Sequence, residues 1–289
     1  MDLASIEKTM QSSLTWTGGE LQIAGATDVG RVRRVNQDAY GYFRNDERDE
    51  VLLVVADGLG GHRGGEVASV LAVESLASTF RTGNDEPGPR LKTAIEEANR
   101  QILEVARSDR ALEGMGTTIV CLLLANNRPG VVAHVGDSRL YRLRDNAFTA
   151  ITDDHSLVAT LLREGVLSEE EASRDPRRNQ ILRALGVRDA VEVEVAEIYP
   201  AGGDRYLLCS DGLHGSVDDA EMKRLMVVED ESAKAASDLI AAANAAGGHD
   251  NITCLIASLP ETTFFPTFRA GTARMLATTK SLFRRNSEE

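Results

Sequence analysis

Five aspartates stand at or near the ends of apolar runs: Asp38 in Asn36-Gln37-Asp38, Asp57 after VVA, Asp137 in HVGDS, Asp211 in LLCSDG and Asp250 in HDNIT. Taken singly, an Asp-Gly after a strand is a turn. Taken together they suggest chemistry, because carboxylates at the ends of adjacent buried strands converge on one spot of a folded sheet. Like charges that close do not all stay ionised without cations. Hard oxygen donors without His or Cys point to Mg²⁺ or Mn²⁺. Two such ions ~3.5–4 Å apart form the arrangement used to displace phosphate esters.

The elements that would carry these residues are readable from the pattern. LQIAGATD, from Leu21, is strand-like, and residues 51–56 (VLLVVA) form an apolar run ended by Asp57-Gly58. Residues 66–80 follow at helical period, with Val67, Val70, Leu71 and Val73 to Leu76 expected on one buried face. A loop with Gly83, Pro87, Gly88 and Pro89 precedes a second amphipathic helix. TTIVCLLLA, VVAHV, RLYRL and FTAIT then read as closely spaced strands. Residues 154–172 read as two helices split at a glycine, the second capped by Ser168 with Glu171 three residues on. Two further strands, two helices over 218–228 and 231–246, and the strand NITCLIASL complete the pattern. The helices are grouped and do not alternate one for one with strands. The expected fold class is therefore α+β: two packed, mainly antiparallel sheets with helix pairs outside.

Composition narrows the function classes. The chain has 289 residues, 42% of them apolar, enough for one large domain or two small ones. A net charge of −13 argues against nucleic acid as the main partner. No apolar run approaches the ~20 residues of a transmembrane segment, and the N-terminus lacks the pattern of a secretory signal. Cys121, Cys209 and Cys254 read as buried thiols of a reducing, cytoplasmic setting. Residues 1–20 read as a polar extension. Residues 260–289 read as an appended tail: a short packed helix, a disordered end, or a partner-docking or membrane-touching segment.

Six segments in order, ATDVGRVRRVNQD (26–38), VVADGLGGHRGGEVAS (54–69), GMGTTIV (114–120), AHVGDSRLY (133–141), LLCSDGL (207–213) and HDNIT (249–253), resemble the metal-dependent type 2C serine/threonine protein phosphatases, the PPM family, in their bacterial form. The resemblance covers residues 21–259 and implies a four-layer α-β-β-α sandwich with a small helical flap over about 153–186. It implies that Asp57 bridges two cations, with the Gly58 carbonyl on the second and Asp211 and Asp250 on the first. Asp137, with Asp211, would hold a third, weaker ion. Asp38 and Gln37 would support the second cation, with one formal charge fewer than the family's acidic pair. Arg33 would bind the substrate phosphate, and Asn251 would brace Asp250 by hydrogen bonds. His62 stands near the position of a general acid, where it either donates through water or shapes its Gly-rich loop. The implied reaction is direct hydrolysis of phosphoserine or phosphothreonine in proteins by water activated between Mn²⁺ or Mg²⁺ ions, without a phosphoenzyme. A cognate serine/threonine kinase is the implied opposing partner, and a monomer suffices.

Three other readings bear on the same residues. The Gly58–Gly65 stretch lacks the spacing of a dinucleotide loop, and Glu66 stands where a phosphate-binding loop needs lysine. Ser138, Asp211 and His214 match two signatures of a GDS-type serine esterase. A pseudophosphatase would bind phosphoproteins without hydrolysing them, and Gln37 is the residue that keeps that reading open.

Overall fold

The computed structural model describes residues 9–16, 19–60, 64–83 and 85–261. The elements run β1 (Thr9–Trp16), β2 (Gly19–Asp28), β3 (Asp38–Asn45), β4 (Glu50–Leu59), α1 (Gly64–Thr82), α2 (Pro87–Ser108), β5 (Gly116–Thr117), β6 (Ile119–Ala125) and β7 (Gly130–Val135). They continue with β8 (Arg139–Arg144), β9 (Ala147–Ala150), α3 (Leu157–Arg163), α4 (Glu169–Arg174), β10 (Glu194–Ile198) and β11 (Arg205–Cys209). The last four are α5 (Asp211–His214), α6 (Asp219–Val228), α7 (Ser232–Ala245) and β12 (Ile252–Ser258). One sheet has the order β1-β2-β12-β11-β8-β9 and the other β10-β7-β6-β4-β3, with β5 paired to the end of β4. Every strand pairing is antiparallel.

Strand alternation explains the layers. Successive side chains of β4 point to opposite faces. Leu52, Val54 and Ala56 pack with Ala72, Leu76 and Ile95 of the α1–α2 pair. Val51, Leu53 and Val55 face the other sheet and pack with Leu208 and Leu255. The far face of that second sheet, with Leu207, Cys209, Cys254 and Ile256, packs under Met222, Met226 and Leu239 of α6 and α7. Both faces of the central strands are thus covered, which is why their sequences are apolar without a break. The result is the four-layer α-β-β-α order.

Local details depart from the sequence reading in three places. Residues 9–16, expected within an extension, form edge strand β1, with Thr9–Trp16 paired to Gly19–Ala26. The segment looks polar because an edge strand buries one face only. Gln11, Ser13 and Thr15 are exposed, while Trp16 is buried between the sheets. In α1, Val67, Val70 and Leu71 are only partly buried. The closest face is built from Gly64, Gly65, Ala68, Ser69 and Ala72, whose small side chains let the helix approach β4 and α2. Finally, Asp57-Gly58 does not end its strand. β4 pairs with β6 over Glu50–Val55 and then with β5 at Gly58 and Leu59.

The segment expected as a helical flap holds α3 and α4. Ser156 caps α3 by accepting the Ala159 N–H, and Ser168 and Glu171 form the expected reciprocal cap on α4. The bridge Ser156–Ile181 closes the segment on itself, and the bridge Thr117–Leu185 ties its end to β5. Cys121, Cys209 and Cys254 are all buried free thiols.

Candidate metal centre

Asp38 opens β3 and stands directly opposite Asp57 of β4. Asp211 begins α5 immediately after β11, and Asp250 immediately precedes the Asn251–Ile252 entry to β12, the antiparallel neighbour of β11. Asp137 follows the positive-φ Gly136 between β7 and β8. These carboxylates lie close enough to act on one another's charge. Asp211 raises the pKa values of Asp38, Asp57 and Asp137, and Asp250 raises those of Asp38 and Asp211.

The backbone around Asp57 is fixed tightly. Its N–H donates to Thr118 Oγ1 (3.0 Å), and its carbonyl accepts from Thr118 N–H and Thr117 Oγ1 (both 2.8 Å). The Gly58 N–H donates to the Gln37 carbonyl at 3.1 Å. A Cβ at Gly58 would lie 2.2 Å from the Gly65 carbonyl oxygen and 2.4 Å from that of Gln37, so only glycine allows this approach. Gln37 places its carbonyl under Gly58 and Ser69 and directs its amide to the Gly60 carbonyl.

Asn251 anchors the first motif. Its Nδ2 donates to the carbonyls of Val29 and Val35 (both 3.0 Å), and its Oδ1 accepts the Gln37 N–H (2.9 Å). The bracing of Asp250 comes from the Asn251 backbone, whose N–H donates to Asp250 Oδ1 at 2.9 Å, while the side chain holds the loop. Gly30, with φ +79°, permits the close passage of that loop. A Cβ there would meet the Asp250 carbonyl oxygen at 2.2 Å. Arg33, on the same loop, reaches the cleft and pairs with Asp250 Oδ2 at 2.8 Å.

Electrostatically the cluster is unbalanced. Burial pushes the Asp38 carboxyl up to about 7. Hydrogen bonds from Thr253 and Ser210 oppose that rise, and Asp211 and Asp250 add to it. Burial likewise takes Asp137 to about 7, helped by Asp211 and Asp154. Asp57 is raised well above the carboxylate range by burial and then by Asp38, Asp211 and Asp137. Asp211 is raised by burial and by Asp250. Asp57 and Asp211 share a hydrogen bond that only a protonated member can donate. Asp137 Oδ1 is buried and has no hydrogen-bond partner among the described residues. An all-carboxylate donor set that must otherwise take up protons, with one buried oxygen unpaired, fits divalent cations.

Beside the cluster lies a cavity of about 540 Å³, walled by Val158, Leu162 and Arg178 on the side of the α3–α4 segment and by Asp137, Asp211 and His249 on the other. A hollow of about 660 Å³ between the β1–β2 hairpin and the α6–α7 turn contains none of these carboxylates, so size alone does not locate the chemistry.

Several supporting groups carry little sequence signal. Ser210 Oγ donates to Asp38 Oδ2 at 2.7 Å and accepts the Thr253 N–H at 3.0 Å. Thr253 Oγ1 lies 2.7 Å from Thr27 Oγ1. Asp154 takes a two-point ion pair from Arg139, both contacts 2.8 Å, beside Asp137. A hydroxyl adjoining a strand-end aspartate is the one cue that marks Ser210, and nothing marks Asp154.

The esterase arrangement does not form. Ser138 is buried with its hydroxyl 2.7 Å from Thr118 Oγ1, and His214 Nε2 donates to the Asp137 carbonyl at 2.9 Å. His62 lies outside the described residues, as does the tail beyond Glu261.

A second donor group, His134, His155 and Glu194, has ligand atoms within 4.8 Å of one another. The Gly136 N–H donates to His155 Nδ1 (3.1 Å), and His155 Nε2 lies between Glu194 at 3.2 Å and the Arg183 guanidinium at 3.3 Å. His134 Nε2 faces the Asp153 carbonyl at 2.9 Å, and the two rings stack. Ligation through His155 Nε2 would force a proton onto Nδ1, against that N–H. The group is a satisfied hydrogen-bond relay.

Comparison with known proteins identifies the family. Residues 30–241 match the family model described as Protein phosphatase 2C. The serine/threonine phosphatase stp of Listeria welshimeri is 42% identical over 235 residues, covering 80% of this chain and 92% of that protein. The structure of the Streptococcus agalactiae serine/threonine phosphatase superposes with a TM-score of 0.78 at 35% identity, over 83% of this chain and 99% of that one. The catalytic domain of the serine/threonine phosphatase PstP, solved with two manganese ions, gives 0.72 at 37% identity, over 83% and 98%. The chain belongs to the protein phosphatase 2C family.

Proposed function

We infer that this chain hydrolyses phosphoserine and phosphothreonine in proteins with the help of divalent cations. The observation that carries the reading is the set of strand-end aspartates, buried or half-buried together, with a cationic side chain paired to only part of their charge. Asp57, with the Gly58 carbonyl, Asp211, Asp250 and Asp38 would hold two ions, Mn²⁺ or Mg²⁺, and Asp137 with Asp211 would hold a third. Bound cations supply Lewis acidity, lowering the pKa of water and drawing charge from phosphoryl oxygens.

The chain's own groups then position and neutralise. Arg33 offers a planar guanidinium to two phosphoryl oxygens once it exchanges its Asp250 partner for substrate. The Asn251 clamp keeps the Arg33 loop at fixed height over the cleft. Thr117 and Thr118 hold the Asp57 backbone, and Ser210 orients Asp38. Gln37 contributes an amide where a second carboxylate would add charge, so the Asp38 side of the site binds its cation more weakly. We assign the opposing reaction to a serine/threonine kinase, the setting to the cytoplasm and the working unit to a single chain. Among the described residues no helix is long and apolar enough to cross a membrane.

The test is phosphate release from a phosphothreonine peptide with Mn²⁺, with Mg²⁺ and with excess EDTA, for wild type and Asp57→Asn. Activation by metal, loss in EDTA and a dead variant support the reading. A wild type inactive with both metals would favour a phosphoprotein-binding role, and EDTA-resistant turnover would require different chemistry.

A further inference from the structure

The loop that carries Arg33 holds more positive charge than phosphate binding uses. Residues 29–37 include Arg31, Arg33 and Arg34 and no acidic residue, in a chain of net charge −13. Arg33 pairs with Asp250. Arg31 and Arg34 are exposed, and their side chains have no hydrogen-bond or ion-pair partner among the described residues. Exposed arginines on helices are treated differently: Arg100 pairs with Glu97 and Glu104, and Arg224 with Glu221.

The backbone beneath these free side chains is pinned. Gly30 N–H donates to Asp28 Oδ1 (2.8 Å) and Arg31 N–H to the Gly248 carbonyl (2.7 Å), besides the three Asn251 bonds to Val29, Val35 and Gln37. A partner would therefore order only side chains, a small entropic cost for the surface it gains. Val32 and Val35 are also solvent-exposed on this loop, at 62% and 41%.

We propose that Arg31 and Arg34, with Val32 and Val35, form a docking strip for the protein segment on either side of the phosphorylated residue, and that the strip selects segments with acidic side chains there. The proposal rests on the phosphatase reading of the adjacent cleft. Charge complementarity identifies the occupant. Two unpaired guanidinium groups beside the phosphate-binding Arg33 favour carboxylates that arrive on the same peptide.

The experiment compares phosphothreonine peptides with Asp/Glu, neutral or Lys neighbours, using wild type, Arg31→Ala/Arg34→Ala and Arg31→Glu/Arg34→Glu, with p-nitrophenyl phosphate as a substrate that has no neighbours. Wild type should favour the acidic peptide over the basic one by on the order of tenfold in kcat/KM. The alanine pair should flatten that preference and the glutamate pair reverse it. Turnover of p-nitrophenyl phosphate should stay level across all three proteins, and added salt should shrink the preference. Anisotropy of a fluorescent acidic phosphopeptide should show binding weakened by on the order of tenfold in the glutamate pair. Equal rates for acidic and basic peptides in wild type, or a preference that survives charge reversal, would overturn the docking strip. Failure of wild type to hydrolyse p-nitrophenyl phosphate would count against the phosphatase reading alone, because the anisotropy shift tests the strip independently.

Discussion

Strand β4 carries a buried carboxylate at one end and a partly accessible one at the other, and the two are handled in opposite ways. Glu50 begins the strand, is 1% exposed, and is held by Arg90 (2.5 Å), Arg48 (3.1 Å) and Arg128 (3.3 Å). Asp57, seven residues on, is surrounded by Asp38, Asp137 and Asp211 and shares its hydrogen bond with one of them. The first end is neutralised by side chains and belongs to the architecture. The second is left short of positive charge, which a folded chain tolerates only where something charged arrives from outside. The contrast teaches that burial of a carboxylate does not itself mark a functional site, whereas burial without a fixed counter-charge does.

Substitutions at the two ends should separate activity from stability. The largest effect is expected for Asp57→Asn, which should lower kcat/KM for a phosphopeptide by on the order of 10³-fold or more. In EDTA the same variant should melt higher than wild type, because it removes one acid from a repelling group. A variant that retains activity, or melts lower in EDTA, would break the contrast. Glu50→Gln should do the reverse. It leaves buried Arg90 without its counter-ion, at a cost of about 3–5 kcal/mol in stability measured by urea unfolding. Turnover per folded molecule at 25 °C should be unchanged.

A smaller effect is expected at the residue that supports Asp38. Ser210→Ala removes the 2.7 Å hydrogen bond to Asp38. The Mn²⁺ concentration for half-maximal activity should rise about 10–100-fold, with the rate at saturating metal little changed. Calorimetric titration of Mn²⁺ should show the same loss of affinity.

The most diagnostic effect is in pH. The folded values near 7 for Asp38 and Asp137 lie above the ordinary value of 3.8. Between those values the folded cluster keeps protons that the unfolded chain has released. The metal-free protein should therefore lose stability as pH rises from about 4 through 7. Saturating Mn²⁺ should flatten that slope, because the cations stabilise the ionised carboxylates. A melting temperature in EDTA that is level or rises over this range would contradict the charge imbalance.

Much of this was legible in the sequence, and the reason is physical. VLLVVA and RYLLC are apolar because both faces of their strands are covered, so their ends, and the aspartates at them, stand out. The Ser168–Glu171 cap is equally local. What stayed hidden depends on register or on distant partners. Edge strand β1 alternates too weakly to announce itself. The α1 face is chosen by how closely a helix of small residues can approach, a property of its neighbours. Ser210 meets Asp38 across 172 positions, and Arg33 meets Asp250 across 217. No spacing encodes those pairings. The two-point support of Arg139 by Asp154 likewise arises only when the loop after β9 folds back beside Asp137.

The most direct measurement is a calorimetric titration of Mn²⁺ into metal-stripped wild type, Asp57→Asn and Glu50→Gln at neutral pH. The account predicts at least two ions bound to wild type and to Glu50→Gln, and a loss of one or both in Asp57→Asn. If Asp57→Asn bound Mn²⁺ as wild type does, or if wild type bound none, the end of β4 would not be a cation site and the central claim would be wrong.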